Sequence, residues 1–168
     1  VSTSIMRERL VSWGIPEKKI SLIPLGVDLS HFKMFSAYEK RNVRIGLGIP
    51  EDVVCIGSFQ KDGNGWGKGL EPKWIKGPDL FIKVCAELAK RYKIHCLLTG
   101  PARGYVKNGL DSAGVSYTHC HLKCYPDIIE HYNCLDLYLV SSREEGGPKG
   151  LVEAMSAGVP VVSTRVGM

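Results

Sequence analysis

Residues 135–163, LDLYLVSSREEGGPKGLVEAMSAGVPVVS, decide how this chain folds. Leu135 to Val140 and Val159 to Ser163 are apolar runs of strand length, while Pro148 to Ala157 opens on a proline suited to a first helical turn. Strand, short helix and strand joined by brief connections make a βαβ unit, whose two strands lie parallel. Consecutive rather than alternating apolar residues mark strands covered on both faces.

The same signature recurs upstream. Val53 to Phe59, Ile94 to Thr99 and Val115 to Tyr117 read as further strands, and Ser21 to Ile23 as a first one. Pro78 to Tyr92 carries Leu80, Phe81, Val84, Cys85, Leu88 and Ala89 at helical spacing, with Gly77 and Pro78 marking its start. Pro126 to Asn133, residues 104–113 and Ser4 to Trp13 read as shorter helices, and Pro24 to Asp28 as a turn. The reading is an α/β class chain, a Rossmann-like doubly wound parallel sheet, in which ligands bind beyond the carboxyl ends of the strands.

Composition narrows the function classes. At 168 residues the chain is long enough for one core without disulfides or a structural metal. The longest apolar stretches fall far short of the roughly 20 residues that cross a bilayer. The basic residues behind a net charge of +5 are interspersed with acids, so no nucleic-acid stripe emerges; the excess suits an anionic small molecule, an anionic membrane face or a solvated lysine-rich surface. Six cysteines form no CxxC pair and mostly lie in apolar runs, as reduced thiols would. His119-Cys120-His121 with Cys124 is no converging metal set, because a strand would turn Cys120 away from both histidines. The opening Val1, and an apolar run ending at Val166-Gly167-Met168 without a covering helix, read as part of a longer protein.

The least regular segment runs from Lys61 to Gly77, with Gly63, Gly65, Gly67 and Gly69 on alternate positions plus Trp66 and Trp74. Its spacing is not GxGxxG, and Gly67-Lys68-Gly69 lacks the Ser or Thr of a phosphate-binding P-loop. It reads either as a flexible flap over the strand ends or as a solvated insertion.

The chemistry concentrates in Ser141 to Met155. Gly147 suits an N-cap and Pro148 a first helical residue, which leaves the backbone N–H groups of Lys149, Gly150 and Leu151 free to hold an anion. Gly146, Gly147 and Gly150 carry no side chain to block it. Glu145 precedes the turn, and Glu153 shares a helix face with Lys149. Carboxylates accept hydrogen bonds from vicinal diols, so a diphosphate with a sugar on each side fits; first-turn acids complementing the dipole and an exposed helix residue fit equally.

The ExxxxxxxE spacing from Glu145 to Glu153, continued by Ala154 to Thr164, resembles the nucleotide-sugar signature of retaining glycosyltransferases of family 4. Pro24 to Asp28 with Phe32, and Lys76-Gly77 before a helix, are similar to other motifs of that family in the same order. The resemblance implies the C-terminal half of a two-domain GT-B fold, with residues 1–168 a single nucleotide-sugar-binding domain and the N-terminal acceptor domain and C-terminal end absent. It implies Glu145 as the catalytic residue facing the donor sugar, and Glu153 on the ribose hydroxyls. Lys76 and the backbone at Gly147, Lys149, Gly150, Leu151 and Val152 would hold the diphosphate.

Departures are visible too. Gly146-Gly147-Pro148 stands where the family often has Gly-Phe-Gly, and Ser58 where it has arginine, which leaves Lys61, ahead of Gln60, to supply that contact. His121 sits where the family admits the base. The resemblance further implies a UDP- or GDP-linked nucleotide-sugar donor, a saccharide or lipid-linked acceptor and polysaccharide biosynthesis. It adds a cytoplasmic setting that admits peripheral membrane contact, without a cofactor; no DxD-type carboxylate pair is present, so no essential metal is expected. No nucleophile motif is present, which points to electrostatic and positional catalysis. The competing readings are a non-catalytic sugar-nucleotide-binding module, a nucleotide-sugar epimerase and a sugar phosphorylase.

Overall fold

The computed structural model describes residues 1–167. Five parallel strands, β1 (Val54–Phe59), β2 (Ile94–Thr99), β3 (Ser116–Cys120), β4 (Leu137–Val140) and β5 (Val161–Ser163), form one sheet in the order β3-β2-β1-β4-β5. The chain winds outward from β1 in one direction and then restarts at β4 in the other. The switch therefore falls between β1 and β4, where such sheets open a crevice at their carboxyl ends.

Both faces of the sheet are covered. On one side lie α3 (Pro78–Ala89) and α4 (Gly104–Ser112), packing Phe81, Cys85, Val106 and Leu110 onto Ile56, Cys96 and Leu98. On the other, α5 (Ile128–Asn133) and α6 (Lys149–Ser156) pack Ile129, Tyr132, Ala154 and Ala157 onto Cys55, Leu97 and Tyr138. Each large side chain so buried contributes about 1.5–3 kcal/mol. The six cysteines are free thiols. No helix among the described residues is long and apolar enough to cross a membrane.

Several expectations need correction. Ser21 to Ile23 forms no strand; its backbone is satisfied by the chain start instead, with the Ile23 N–H donating to Val1 O and the Val1 ammonium to Ser21 O. The first helix is α1 (Ser4–Ser12), and the helix expected to reach Tyr92 ends at Ala89. Residues Tyr125–Asp127 form a 3-10 turn ahead of α5. β3 runs on to Cys120, because Thr118 and His119 pair with β2 despite their polarity. An unanticipated helix, α2 (Ala37–Gly46), begins at a full capping box between Ser36 and Glu39. The N-cap of α6 is Pro148 rather than Gly147, so the helix starts one residue later than its sequence implied.

The Lys61 to Gly77 segment is pinned down rather than loosely solvated. Asp62 and Arg103, both 0% exposed, pair at 3.1 Å, and the guanidinium also donates to the carbonyls of Ser58, Gln60 and Thr99. Burial pushes the Asp62 carboxyl up and the Arg103 guanidinium down, each opposed by the other's charge. The flap closes on itself through an antiparallel bridge between Gly63 and Pro72. Its backbone then caps α4, with the N–H groups of Gly104 and Tyr105 donating to Lys68 O and Gly69 O at 2.8 Å. Gly69 lies so close that a Cβ there would sit 2.1 Å from Ala102 O.

Candidate functional site

Lys76 ends the flap and reaches the crevice between β1 and β4. Gly77 follows at φ +60°, and an added Cβ would lie 1.9 Å from Ser141 O, so the turn rests directly on the end of β4. Ser141 Oγ and Gln60 Nε2 both donate to Lys76 O, at 3.3 and 3.2 Å. Gly77→Ala is therefore expected to cost about 2 kcal/mol or more, from the left-handed backbone and the clash together, read as a lowered urea midpoint.

The Lys76 ammonium is ion-paired with Glu145 Oε1, which also accepts from Ser142 Oγ at 2.9 Å. Ser142 Oγ in turn lies 3.4 Å from Gln60 Oε1, which joins the ends of β1 and β4 in one polar cluster. Beside it, Arg143 donates two bonds to Asp79 at 2.8 and 2.6 Å, holding that carboxyl below its usual range. Lys76 and Glu145 are thus brought together.

The start of α6 has no side-chain cap. Its Leu151 N–H is spent on Pro148 O at 2.9 Å, which leaves Lys149 and Gly150 rather than three residues as anion donors. Gly150 is required for a different reason than open approach: an added Cβ would meet the hydroxyls of Tyr138 and Tyr132 at 2.5 and 2.9 Å. Gly147 stands just outside the helix against Ser2 and Leu25. Val152 is half-buried one turn further on.

Glu153 is 3% exposed and not open to the crevice. Its Oε2 accepts from Tyr132 Oη at 2.9 Å and its Oε1 from the Tyr125 hydroxyl, while Lys149 Nζ stands 3.4 Å from Oε1 and 4.3 Å from the centre of the Tyr125 ring. Burial raises the carboxyl to about 7. The protonated form is thus favoured on folding, and stability present below about pH 4.5 is lost as pH rises toward 7. Glu153→Gln is expected to flatten that loss, by about 2–3 kcal/mol at pH 8, in urea titrations across pH.

Lys61 is not part of this cluster. Its ammonium stacks 3.7 Å from the centre of the 83%-exposed Trp66 ring, a cation–π contact within the flap. His119 and His121 face each other at 4.6 Å, and no group of three or more His, Cys, Asp or Glu among the described residues could hold a metal. Tyr125, Tyr132 and Arg103 carry no local sequence signal that names their distant partners.

The family described as glycosyl transferases group 1 matches residues 67–168. Among curated proteins, the D-inositol 3-phosphate glycosyltransferase of Corynebacterium urealyticum is 26% identical over 161 residues, covering 89% of this chain and 36% of that protein. The lipopolysaccharide core biosynthesis mannosyltransferase LpsB of Rhizobium meliloti is 27% identical over 150 residues, covering 84% and 39%. The chain spans less than half the length of these relatives. Among solved structures, Anabaena HepE in complex with UDP-glucose superposes at a TM-score of 0.80 with 21% identity, over 99% of this chain and 44% of that one. The C-terminal domain of the group 1 protein LpcC from Francisella tularensis gives 0.63 at 21% identity, over 84% and 72%. The fold is the C-terminal half of the two-domain GT-B architecture, and with the family matched over well more than half its residues the chain belongs to the group 1 glycosyl transferases.

Proposed function

We propose that this chain is the donor-binding domain of a retaining, family 4 glycosyltransferase that moves a sugar from a nucleotide-sugar to a glycan or lipid-linked acceptor. The observation that carries the reading is the Lys76–Glu145 pair set beside an uncapped helix start at the switch point of the sheet. Lys76 and the N–H groups of Lys149 and Gly150 take the diphosphate, and Glu145 faces the donor sugar. In transfer, the bond from the anomeric carbon to the diphosphate oxygen breaks, a bond from that carbon to the acceptor hydroxyl oxygen forms, and the hydroxyl proton passes to the departing diphosphate. Negative charge grows on the departing diphosphate, where the lysine and the helix dipole stabilise it.

Glu153 takes the ribose hydroxyls, exchanging the phenol of Tyr125 for them. UDP is the favoured nucleotide, in line with the UDP-glucose complex of the HepE neighbour. Lys61 belongs to the flap and not to the diphosphate site, given its stacking on Trp66. Residues 1–168 act as one unit, and transfer needs an acceptor-binding domain, which the resemblance assigns to the other half of the GT-B fold. Polysaccharide or lipid-linked glycan synthesis at the cytoplasmic face of a membrane is the setting that fits.

A thermal-shift panel of UDP, GDP, ADP and their sugar conjugates on this chain tests the reading. Stabilisation by nucleotide diphosphates, absent with free sugars, is expected; no shift with any nucleotide at millimolar concentration would sink it.

A further inference from the structure

We infer that the two phenols on Glu153 have opposite roles: Tyr132 orients the carboxylate for a ribose, and Tyr125 is a built-in competitor that keeps the ribose seat closed until a nucleotide displaces it. Both roles rest on Glu153 taking the ribose hydroxyls, as proposed above.

Each carboxylate oxygen of Glu153 is committed to one phenol, Oε2 to Tyr132 at 2.9 Å and Oε1 to Tyr125. The two donors differ in how firmly they are held. Tyr132 lies in α5 and is 1% exposed, its ring 4.8 Å from that of Phe59 and 5.3 Å from that of Tyr138. A ring packed so closely has no second place to stand. Tyr125 is 47% exposed and begins the single 3-10 turn between β3 and α5. That turn is closed by bonds of 3.3 Å, from the Asp127 N–H to Cys124 O and from the Cys124 N–H to Asp127 Oδ2. Its ring leans on Phe32 at 6.0 Å and lies under the Lys149 ammonium at 4.3 Å. The buried Glu153 carboxylate is thus sealed in part by a side chain that is itself half in solvent, and exposed side chains change rotamer within nanoseconds.

A phenol and a ribose hydroxyl offer a carboxylate the same thing, one O–H donor in a charge-assisted bond. They therefore contest one oxygen. Oε2 stays with Tyr132, and that bond fixes the plane of the carboxylate and leaves Oε1 beside Lys149, the first residue of α6, at 3.4 Å. A nucleotide taking Oε1 must break the Tyr125 bond to do so, which lowers its affinity below that of an open seat.

Calorimetric titration tests both roles with UDP and with 2′,3′-dideoxy-UDP, which has no hydroxyl to offer Glu153. It is run at pH 8, above the value of about 7 at which that carboxyl titrates. Tyr125→Phe keeps the ring against Phe32 and Lys149 and removes only the competing hydroxyl, so UDP is expected to bind about ten-fold tighter than to the parent. A residue that merely touched the nucleotide would give the opposite sign. Tyr132→Phe frees the carboxylate to turn and should weaken UDP roughly ten-fold. The dideoxy nucleotide is expected to bind all three proteins alike, which a general loss of structure would not allow. A Tyr132→Phe loss shared equally by the dideoxy nucleotide would overturn the orienting role. UDP affinity unchanged or lowered in Tyr125→Phe, with the parent still binding UDP, would overturn the competitor role and leave the donor reading in place; UDP bound by neither protein would overturn both.

Discussion

Replacing Lys76 by alanine is expected to lower the affinity of this chain for UDP by about ten- to a hundred-fold, the size of one charge-assisted contact to a diphosphate lost from a partly enclosed site. The lysine is held by two carbonyl contacts at its backbone and by Glu145 at its tip, so its removal takes away a positioned cation rather than a mobile one. It also leaves the Glu145 carboxylate unpaired beside the helix start, where it repels the same diphosphate. Lys76→Arg restores the charge without the compact geometry and should recover part of the affinity. Calorimetric titration of the three proteins with UDP checks this; equal affinity in all of them would remove Lys76 from the site.

Arg103→Met is expected to destabilise the chain by about 3–5 kcal/mol, the cost of stranding a buried carboxylate without its partner. The guanidinium is the common anchor of three carbonyls at the ends of β1 and β2, and of Asp62 in the flap. Its loss removes what fixes the flap and therefore what positions Lys76. The double variant Asp62→Leu with Arg103→Met, which strands no charge, should recover most of the stability. Chemical denaturation distinguishes the two; a single variant within 1 kcal/mol of the parent would show the pair to be solvated.

The sequence makes the sheet legible because its signal is local. Consecutive apolar residues in Val54–Phe59 and Ile94–Thr99 need no partner to announce a strand covered on both faces. Ser21 to Ile23 carries the same local preference, but its hydrogen bonds go to Val1, a choice no spacing reveals. The start of α2 was readable from Ser36 and Glu39, whereas Gly147 and Pro148 both tolerate a helix boundary and only packing separates them. In the candidate site, Lys76 and Glu145 are marked by the resemblance of their motifs to the family's and not by a local signal of their own. The phenols of Tyr125 and Tyr132 on Glu153 carry no such mark, because the contacts join side chains 28 and 21 residues apart. Nor does the burial of Arg103 against Asp62, which turns a glycine-rich insertion into a fixed wall.

The most direct test of the proposed diphosphate site is a backbone amide NMR titration with UDP, run beside uridine. Resonances of Lys149 and Gly150 should move with UDP and stay in place with uridine, since only the diphosphate meets the helix start. Unmoved amides at α6 while UDP perturbs another part of the chain, or equal shifts from uridine, would contradict a pyrophosphate held there.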